Sequence, residues 1–470
     1  MKKILSIALC LIMCLSFIAC GGSTDTDGNV SQPAASTDNS TVSNDNISVS
    51  TDNSTVVESS FPLDAEKLGD YKFVLPKYNI SYLVVNEVQK FVDLIKEKTG
   101  KELEVVRDDA PETANEIVVG DCSRDGVVKI NEHEKYSIEA KGTKLFVNGG
   151  RNYSLTYALQ HLANDFKSDN ILNANTENGT YYNDLEYRLV WTDEFDGTSL
   201  DSKIWNVADY EEAGLGGWYD RTVYRSNSPK NIYVKDGKMF QAATYDDDYF
   251  YGVFATTKNK VMFTYGLSEI SAKLADGDSL WHCFWLWDSG TTPNLDILEF
   301  DVMECWSGSH YYMNVVHETV KGKLQGDSLG IKEKHTYVTI DGAYKNTDSE
   351  FWVGPLKQRT PDRLMSEAFH NFAVLWDEEH VAFYRDGTCT LDYTYKGTEN
   401  AHLYKNPHYI VLSFAPGTNK NHFPDDHPED KMVCMKKPDL YSDCWTNGKN
   451  IFTIDYVQVL QKDGWYFNYE

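Results

Sequence analysis

The sequence predicts a multidomain chain: a small α/β domain over residues 62–180, then an all-β jelly-roll sandwich over residues 187–464. Three observations carry this. Apolar residues in the first part recur at helical spacing between short apolar runs. The second part is a series of short alternating runs rich in Tyr, Phe, Val and Trp, parted by Gly, Asp and Asn clusters. A chain of 470 residues is also too long for one ordinary domain.

Composition narrows the partners. Lys plus Arg is 44 against 71 for Asp plus Glu, a net charge of −27. That excludes nucleic acid as an expected partner, because phosphate binding needs Lys and Arg. It also argues against docking on anionic lipid through a basic patch. The apolar fraction of 41% is enough for sizeable cores. Aromatics at 13% suit all-β packing or stacking on flat apolar faces of a ligand.

Residues 1–20 read as an address. Lys2 and Lys3 precede an apolar run over 4–19 of signal-peptide length. The run ends Phe17-Ile18-Ala19-Cys20-Gly21-Gly22, which resembles the lipobox of bacterial lipoproteins. The resemblance implies lipidation at Cys20 and a protein held by its acyl chains on the extracellular side of a bacterial membrane. Residues 21–61 are mostly Ser, Thr, Asp and Asn, with Ser-Thr-Asp-Asn-Ser-Thr-Val at 36–42 and again at 50–56. Such a segment buries too little to offset ordering entropy and reads as a disordered tether. Its coil would span on the order of 35 Å. Beyond Cys20 stand Cys122, Cys283, Cys305, Cys389, Cys434 and Cys444, with no Cys-x-x-Cys pair to suggest zinc or redox chemistry. Cys434 and Cys444 are close enough to close a loop, and the sequence leaves that open.

In the α/β part, Val84, Val88, Phe91, Val92 and Ile95 lie on one helical face, and Gly100 supplies the stop. Short strands are expected at 103–106, 117–120, 136–140 and 144–147. A second helix carries Leu155, Leu159, Leu162 and Phe166 on its buried face. Gly149-Gly150 before it serves either close packing or an anion cradle. With Ile117-Val118-Val119-Gly120 and Gly149-Gly150-Arg151, the stretch resembles the small α/β domain preceding catalytic domains in β-hexosaminidase-like glycosidases. The resemblance implies a packing or orienting role.

The sandwich part has alternating runs at 231–234, 266–274, 369–376, 380–384, 409–414 and 452–460. Its chemistry sits in Asp296-Ile297-Leu298-Glu299-Phe300-Asp301-Val302-Met303-Glu304-Cys305-Trp306. Alternation puts Glu299 and Asp301 on one face, with Leu298, Phe300 and Val302 behind them in the core. A β-bulge near Val302–Met303 brings Glu304 to the acidic face. Three acids without a base in the run cost stability and fit a site. Retaining glycoside hydrolysis asks for two carboxyls about 5–5.5 Å apart, one ionised and one protonated. A middle Asp301 would push the two Glu residues apart in pKa.

Residues 187–461 resemble glycoside hydrolase family 16, the laminarinase-type β-glucanases. The matches run in order. They are Leu189-Val190-Trp191-Thr192-Asp193-Glu194-Phe195-Asp196-Gly197; Asn231-Ile232-Tyr233-Val234-Lys235-Asp236-Gly237; Leu280-Trp281-His282-Cys283-Phe284-Trp285-Leu286; the bulged Glu299-x-Asp301-x-x-Glu304; Val315-Val316-His317; and Asp455-Tyr456-Val457-Gln458-Val459. The resemblance implies a concanavalin A-like jelly roll with Glu299 as nucleophile, Asp301 as assisting carboxylate and Glu304 as general acid/base. It implies Trp281 and Trp285 as sugar platforms, His317 on a neighbouring strand near Glu304, and Asn231 on a sugar hydroxyl. It also implies a structural Ca²⁺ on Asp455, Glu194 and the Gly237 carbonyl, with no cofactor needed for catalysis.

Some positions depart from the family pattern. Leu298 stands for the common Gly, His282 for Pro, and Leu267 and Ile270 occupy a stretch usually bearing Arg. The segment between His317 and Phe369 is basic, with Lys321, Lys323, Lys332, Lys334, Lys357, Arg359 and Arg363, and would suit a wall contacting an anionic or branched glycan. The expectation is a surface-anchored, monomeric endo-glycosidase of β-1,3- or mixed β-1,3/1,4-glucan. The same machinery on a β-galactan of agar or carrageenan type, or a non-catalytic glycan-binding lipoprotein, are the alternatives.

Overall fold

The computed structural model describes residues 61–173, 177–211, 223–246, 249–276, 280–288, 296–306, 311–319, 334–338, 344–348, 365–416 and 448–469. Residues 1–60, where a signal, Cys20 and a tether are expected, lie outside the described residues, as do Cys434, Cys444 and most of the basic segment.

The α/β part is a six-stranded sheet in the order Glu104–Arg107, Lys72–Leu75, Glu116–Val119, Lys144–Gly149, Lys135–Lys141, Glu177–Thr180. The first four strands run parallel and the last two join antiparallel. Two long helices cover the sheet, Tyr82–Thr99 and Asn152–Asp169. The first begins where Ser81 Oγ accepts from the Leu83 amide at 3.2 Å and ends at Gly100, whose φ of 73° is left-handed. Val84, Val88, Phe91, Val92 and Ile95 pack in one core with Leu155, Leu159, Leu162 and Phe166 of the second helix.

Gly149 and Gly150 are explained by packing, not by an anion. A Cβ on Gly149 would lie 2.4 Å from the Leu155 backbone nitrogen, and one on Gly150 would lie 2.0 Å from the Glu132 carbonyl oxygen. Only glycine lets the chain pass so close to its neighbours before turning into the helix.

The second part is a β-sandwich. Among the described residues, one sheet has eleven strands with the main path Tyr311–Thr319, Ile297–Trp306, Leu280–Asp288, His408–Pro416, Tyr249–Thr256, Val223–Arg225, Tyr210–Glu211. The other has eight, including Ile451–Gln461, Gly266–Lys273 and His370–Trp376 at its centre. The inward residues of both sheets, among them Leu298, Phe300, Val302, Ile270, Phe372 and Trp376, form the main core. The outer face of the eight-stranded sheet is also covered. Leu267, Ala373, Leu375, Ala382, Tyr384 and Leu460 pack against Leu83 and Tyr153 from the two helices. The α/β layer and sandwich therefore belong to one compact unit over residues 59–470.

Candidate active site

The strand Ile297–Trp306 pairs on both sides, and both ladders slip at the same place. Against Leu280–Asp288, the register is Trp287 to Glu299, Trp285 to Asp301, then Phe284 to Met303 and Cys283 to Glu304. Against Tyr311–Thr319, it is Glu299 to His317 and Asp301 to Val315, then Glu304 to Met313. The slip leaves Val302 and Met303 both fully buried in the core. Glu304 is thereby returned to the face of Glu299 and Asp301, as the spacing Glu-x-Asp-x-x-Glu requires.

Asn314 fastens this bulge and is not among the residues that the acidic motif points to. Its Nδ2 donates to the Val302 carbonyl at 2.5 Å, and its Oδ1 accepts from Thr390 Oγ1 at 2.7 Å. Thr390 belongs to a strand of the opposite sheet, Thr388–Thr394, so a polar link crosses the core to the bulge. An inward Asn three residues before His317 on a strand is the only signal, and it needs the partner to be read.

The acids differ in surroundings. Asp301 Oδ2 lies 2.9 Å from His317 Nε2. His317 thus lies on the neighbouring strand as expected, paired opposite Glu299, and its direct partner is Asp301. Glu304 is largely buried, and burial, the Asp301 charge and then the Glu299 charge hold its carboxyl well above the usual range. The positive field of His317 and the Trp281 indole oppose that rise.

Trp281, Cys283, Trp285 and Trp287 alternate along one strand on the acidic face. Trp285 donates Nε1 to Ser413 Oγ at 3.3 Å, and its ring stands 4.9 Å from that of Trp287 and 5.9 Å from that of Phe254. Trp285 is almost buried and forms the floor, whereas Trp281 and Trp287 remain half-buried. Trp287, Tyr409 and Phe254 join this aromatic surface without having been singled out. Trp287 was legible, being two residues from Trp285; Tyr409 and Phe254 come from strands far along the chain.

Asn231 has a different task from the sugar contact expected of it. It is buried, and its Nδ2 donates to the Ala242 carbonyl and to Thr244 Oγ1, each at 2.9 Å. Both amide hydrogens are spent closing the Ile232–Ala242 hairpin.

The residues named for calcium do not fit the ion. Arg151 Nε lies 2.7 Å from Glu194 Oε2, and its Nη1 lies 3.5 Å from Asp455 Oδ2. Lys238, next to Gly237, lies 3.2 Å from Asp455 Oδ1. A calcium ion wants six to eight oxygen ligands. Here the carboxylate oxygens face cations, and a metal would have to displace them.

Residues 220–431 match the family model Glycosyl hydrolases family 16. The chain is 26% identical over 255 residues to "Glucan endo-1,3-beta-glucosidase A1" of Niallia circulans, covering 49% of this chain and 34% of that protein. It is 32% identical over 211 residues to "Beta-glucanase" of Rhodothermus marinus, covering 43% and 63%. It is 23% identical over 264 residues to "Keratan-sulfate endo-1,4-beta-galactosidase" of Sphingobacterium multivorum, covering 53% of each. The chain thus spans between about a third and two thirds of the length of these curated relatives.

Proposed function

We propose that the protein is a retaining endo-acting glycoside hydrolase of β-1,3- or mixed β-1,3/1,4-glucan. The observation that carries this is the bulged strand. It sets Glu299, Asp301 and Glu304 on one face beside tryptophans, with Glu304 held protonated by burial and by its neighbours. The match of residues 220–431 to a glycosyl hydrolase family, and relatives described as β-glucanases, support the same reading.

The two carboxyl roles follow from their settings. Glu304 gives its proton to the glycosidic oxygen as the bond from that oxygen to the anomeric carbon breaks. Glu299 attacks the anomeric carbon from the opposite face and forms a glycosyl ester. Glu304, now a carboxylate, takes a proton from water; the water oxygen bonds to the anomeric carbon and Glu299 leaves. Asp301, oriented by His317, keeps negative charge between the two and raises Glu304. Tryptophan rings offer flat apolar faces to the sugars. The lipobox-like sequence at Cys20 supports anchoring on the outer side of a bacterial membrane, with the polysaccharide as the partner met there.

A second substrate reading has its own observation. The Arg225 guanidinium stacks 3.8 Å over Phe254, and Lys258 lies 5.8 Å over Tyr409, both rings belonging to the aromatic surface of the acidic face. Cations there suit an anionic β-galactan, in line with the relative described as a keratan-sulfate galactosidase.

The test is reducing-sugar release on a panel of neutral β-glucans and sulfated β-galactans, with Glu299→Gln beside the wild type. Release should vanish in the variant, and proton NMR of early products should give the β-anomer. Retention of a polymer without release would replace the enzyme with a glycan-binding protein, and an α-anomer would remove the double displacement.

A further inference from the structure

We infer that the acidic pair Glu194 and Asp455 is a cation site filled from within the chain by Arg151, so that the α/β layer is a fixed brace of the sandwich and takes the place of a metal.

The site is complete as it stands. Glu194 Oε2 meets Arg151 Nε at 2.7 Å and His133 Nδ1 at 3.6 Å, and Glu194 Oε1 accepts from Thr192 Oγ1 at 2.9 Å. Asp455 Oδ2 meets Arg151 Nη1 at 3.5 Å, and Oδ1 meets Lys238 Nζ at 3.2 Å. Each of the four carboxylate oxygens has a partner. The guanidinium also lies 5.0 Å over the Tyr456 ring, whose hydroxyl accepts from Asn152 Nδ2 at 2.7 Å. The Arg151 side chain is 16% exposed, so this pairing is little screened by water. A planar guanidinium binds two carboxylates and an aromatic face at once, which a spherical metal ion does not.

The brace is built by the sequence around Arg151. Gly149 and Gly150 let the chain pass tightly against Leu155 and Glu132, and this sets Arg151 at the very start of the helix Asn152–Asp169. Glu194 follows the strand Arg188–Asp193, and Asp455 lies in Ile451–Gln461, paired with it. Arg151 therefore joins the layer to two neighbouring strands of one sheet. Independent contacts seat the same layer elsewhere on that sheet. The Asn79 amide donates to Asp386 Oδ1 at 2.7 Å, Arg107 Nη2 donates to the Asp386 carbonyl at 3.0 Å, and Tyr82 stacks on Tyr384 at 4.0 Å.

The sequence supplies two separate probes for the test. All eleven tryptophans stand at position 191 or later, so none belongs to the layer, and Trp191, Trp205, Trp285 and Trp376 report the sandwich core and its acidic face. Both long helices among the described residues belong to the layer, so ellipticity at 222 nm reports the layer. The full chain would be melted with both probes, in millimolar CaCl₂ and in EDTA. In the wild type the two transitions should coincide, and neither should move with calcium or chelator. In Arg151→Ala both should fall together by several degrees, with Arg151→Lys in between. A tryptophan transition that stays put in Arg151→Ala would overturn the brace. A wild-type transition raised by calcium would overturn the replacement of the metal. Should Arg151→Ala fail to fold, Arg151→Lys is read in its stead: a lowered tryptophan transition supports the brace and an unmoved one removes it.

Discussion

Glu304 holds its proton for reasons that can be taken away one at a time. Burial comes first, and the charge of Asp301 second. Asp301 pairs across the strands with Trp285 and is turned by His317 at 2.9 Å, so its negative charge is fixed close to the acid. Replacing it by Asn removes the charge and keeps the shape. The carboxyl of Glu304 should then release its proton at lower pH. The general acid is the protonated form, so the alkaline limb of the kcat/KM profile should move toward acid in Asp301→Asn. The rate at the optimum should also fall, by roughly 10² to 10⁴, because the assisting carboxylate is lost. A pH–rate series on the responding polymer checks this. An alkaline limb that stays in place would mean Asp301 does not govern the acid.

At the scale of one element, the strand Ile297–Trp306 depends on a bond from its neighbour. At its extra residue, Asn314 Nδ2 donates to the Val302 carbonyl. Asn314→Ala should remove that hydrogen bond, at a cost of about 0.5–1.5 kcal/mol in stability. The bulge would also be free to relax and swing Glu304 off the acidic face. The variant should therefore lose kcat with KM little changed, and denaturant melts beside initial rates separate the two effects. Equal rates in both proteins would make Asn314 a packing residue only. The acidic strand itself was legible because its logic is local: alternation, one bulge and three acids within six residues. The sandwich was legible for the same reason, from its alternating runs. Asn314 was not, since its meaning depends on a carbonyl of the next strand. Asn231 looked like a ligand and is a hairpin clasp, because its partners Ala242 and Thr244 appear only once the hairpin has closed. Glu194 and Asp455 resemble a metal site in the sequence for the same reason: the arginine that pairs with them comes from another layer of the fold.

Across the whole unit, the two layers also share a buried acid, Glu269. It sits on Gly266–Lys273, fully buried, and accepts from Ser81 Oγ at 2.6 Å, the residue that caps the helix Tyr82–Thr99; Gln458 Nε2 donates to its other oxygen. Burial pushes Glu269 up to about 7, from an ordinary value of 4.5, and the hydrogen bonds only partly offset it. The sign follows from linkage. Between about pH 4.5 and 7 the folded protein keeps a proton that the unfolded chain has lost, so this residue's contribution to stability falls as pH rises through that window. Below it the contribution is full; above it the loss levels off, at on the order of 3 kcal/mol. Glu269→Gln keeps the shape and cannot ionise. Denaturant melts of both proteins at pH 4.5, 6 and 8 should show the wild type losing ground to the variant as pH rises. Since Ser81 ties this acid to the helix, the 222 nm and tryptophan transitions should lose ground together. Curves for the two proteins that stay parallel across the window would mean that Glu269 is ionised in the fold, its charge carried by Ser81, Gln458 and the start of the helix.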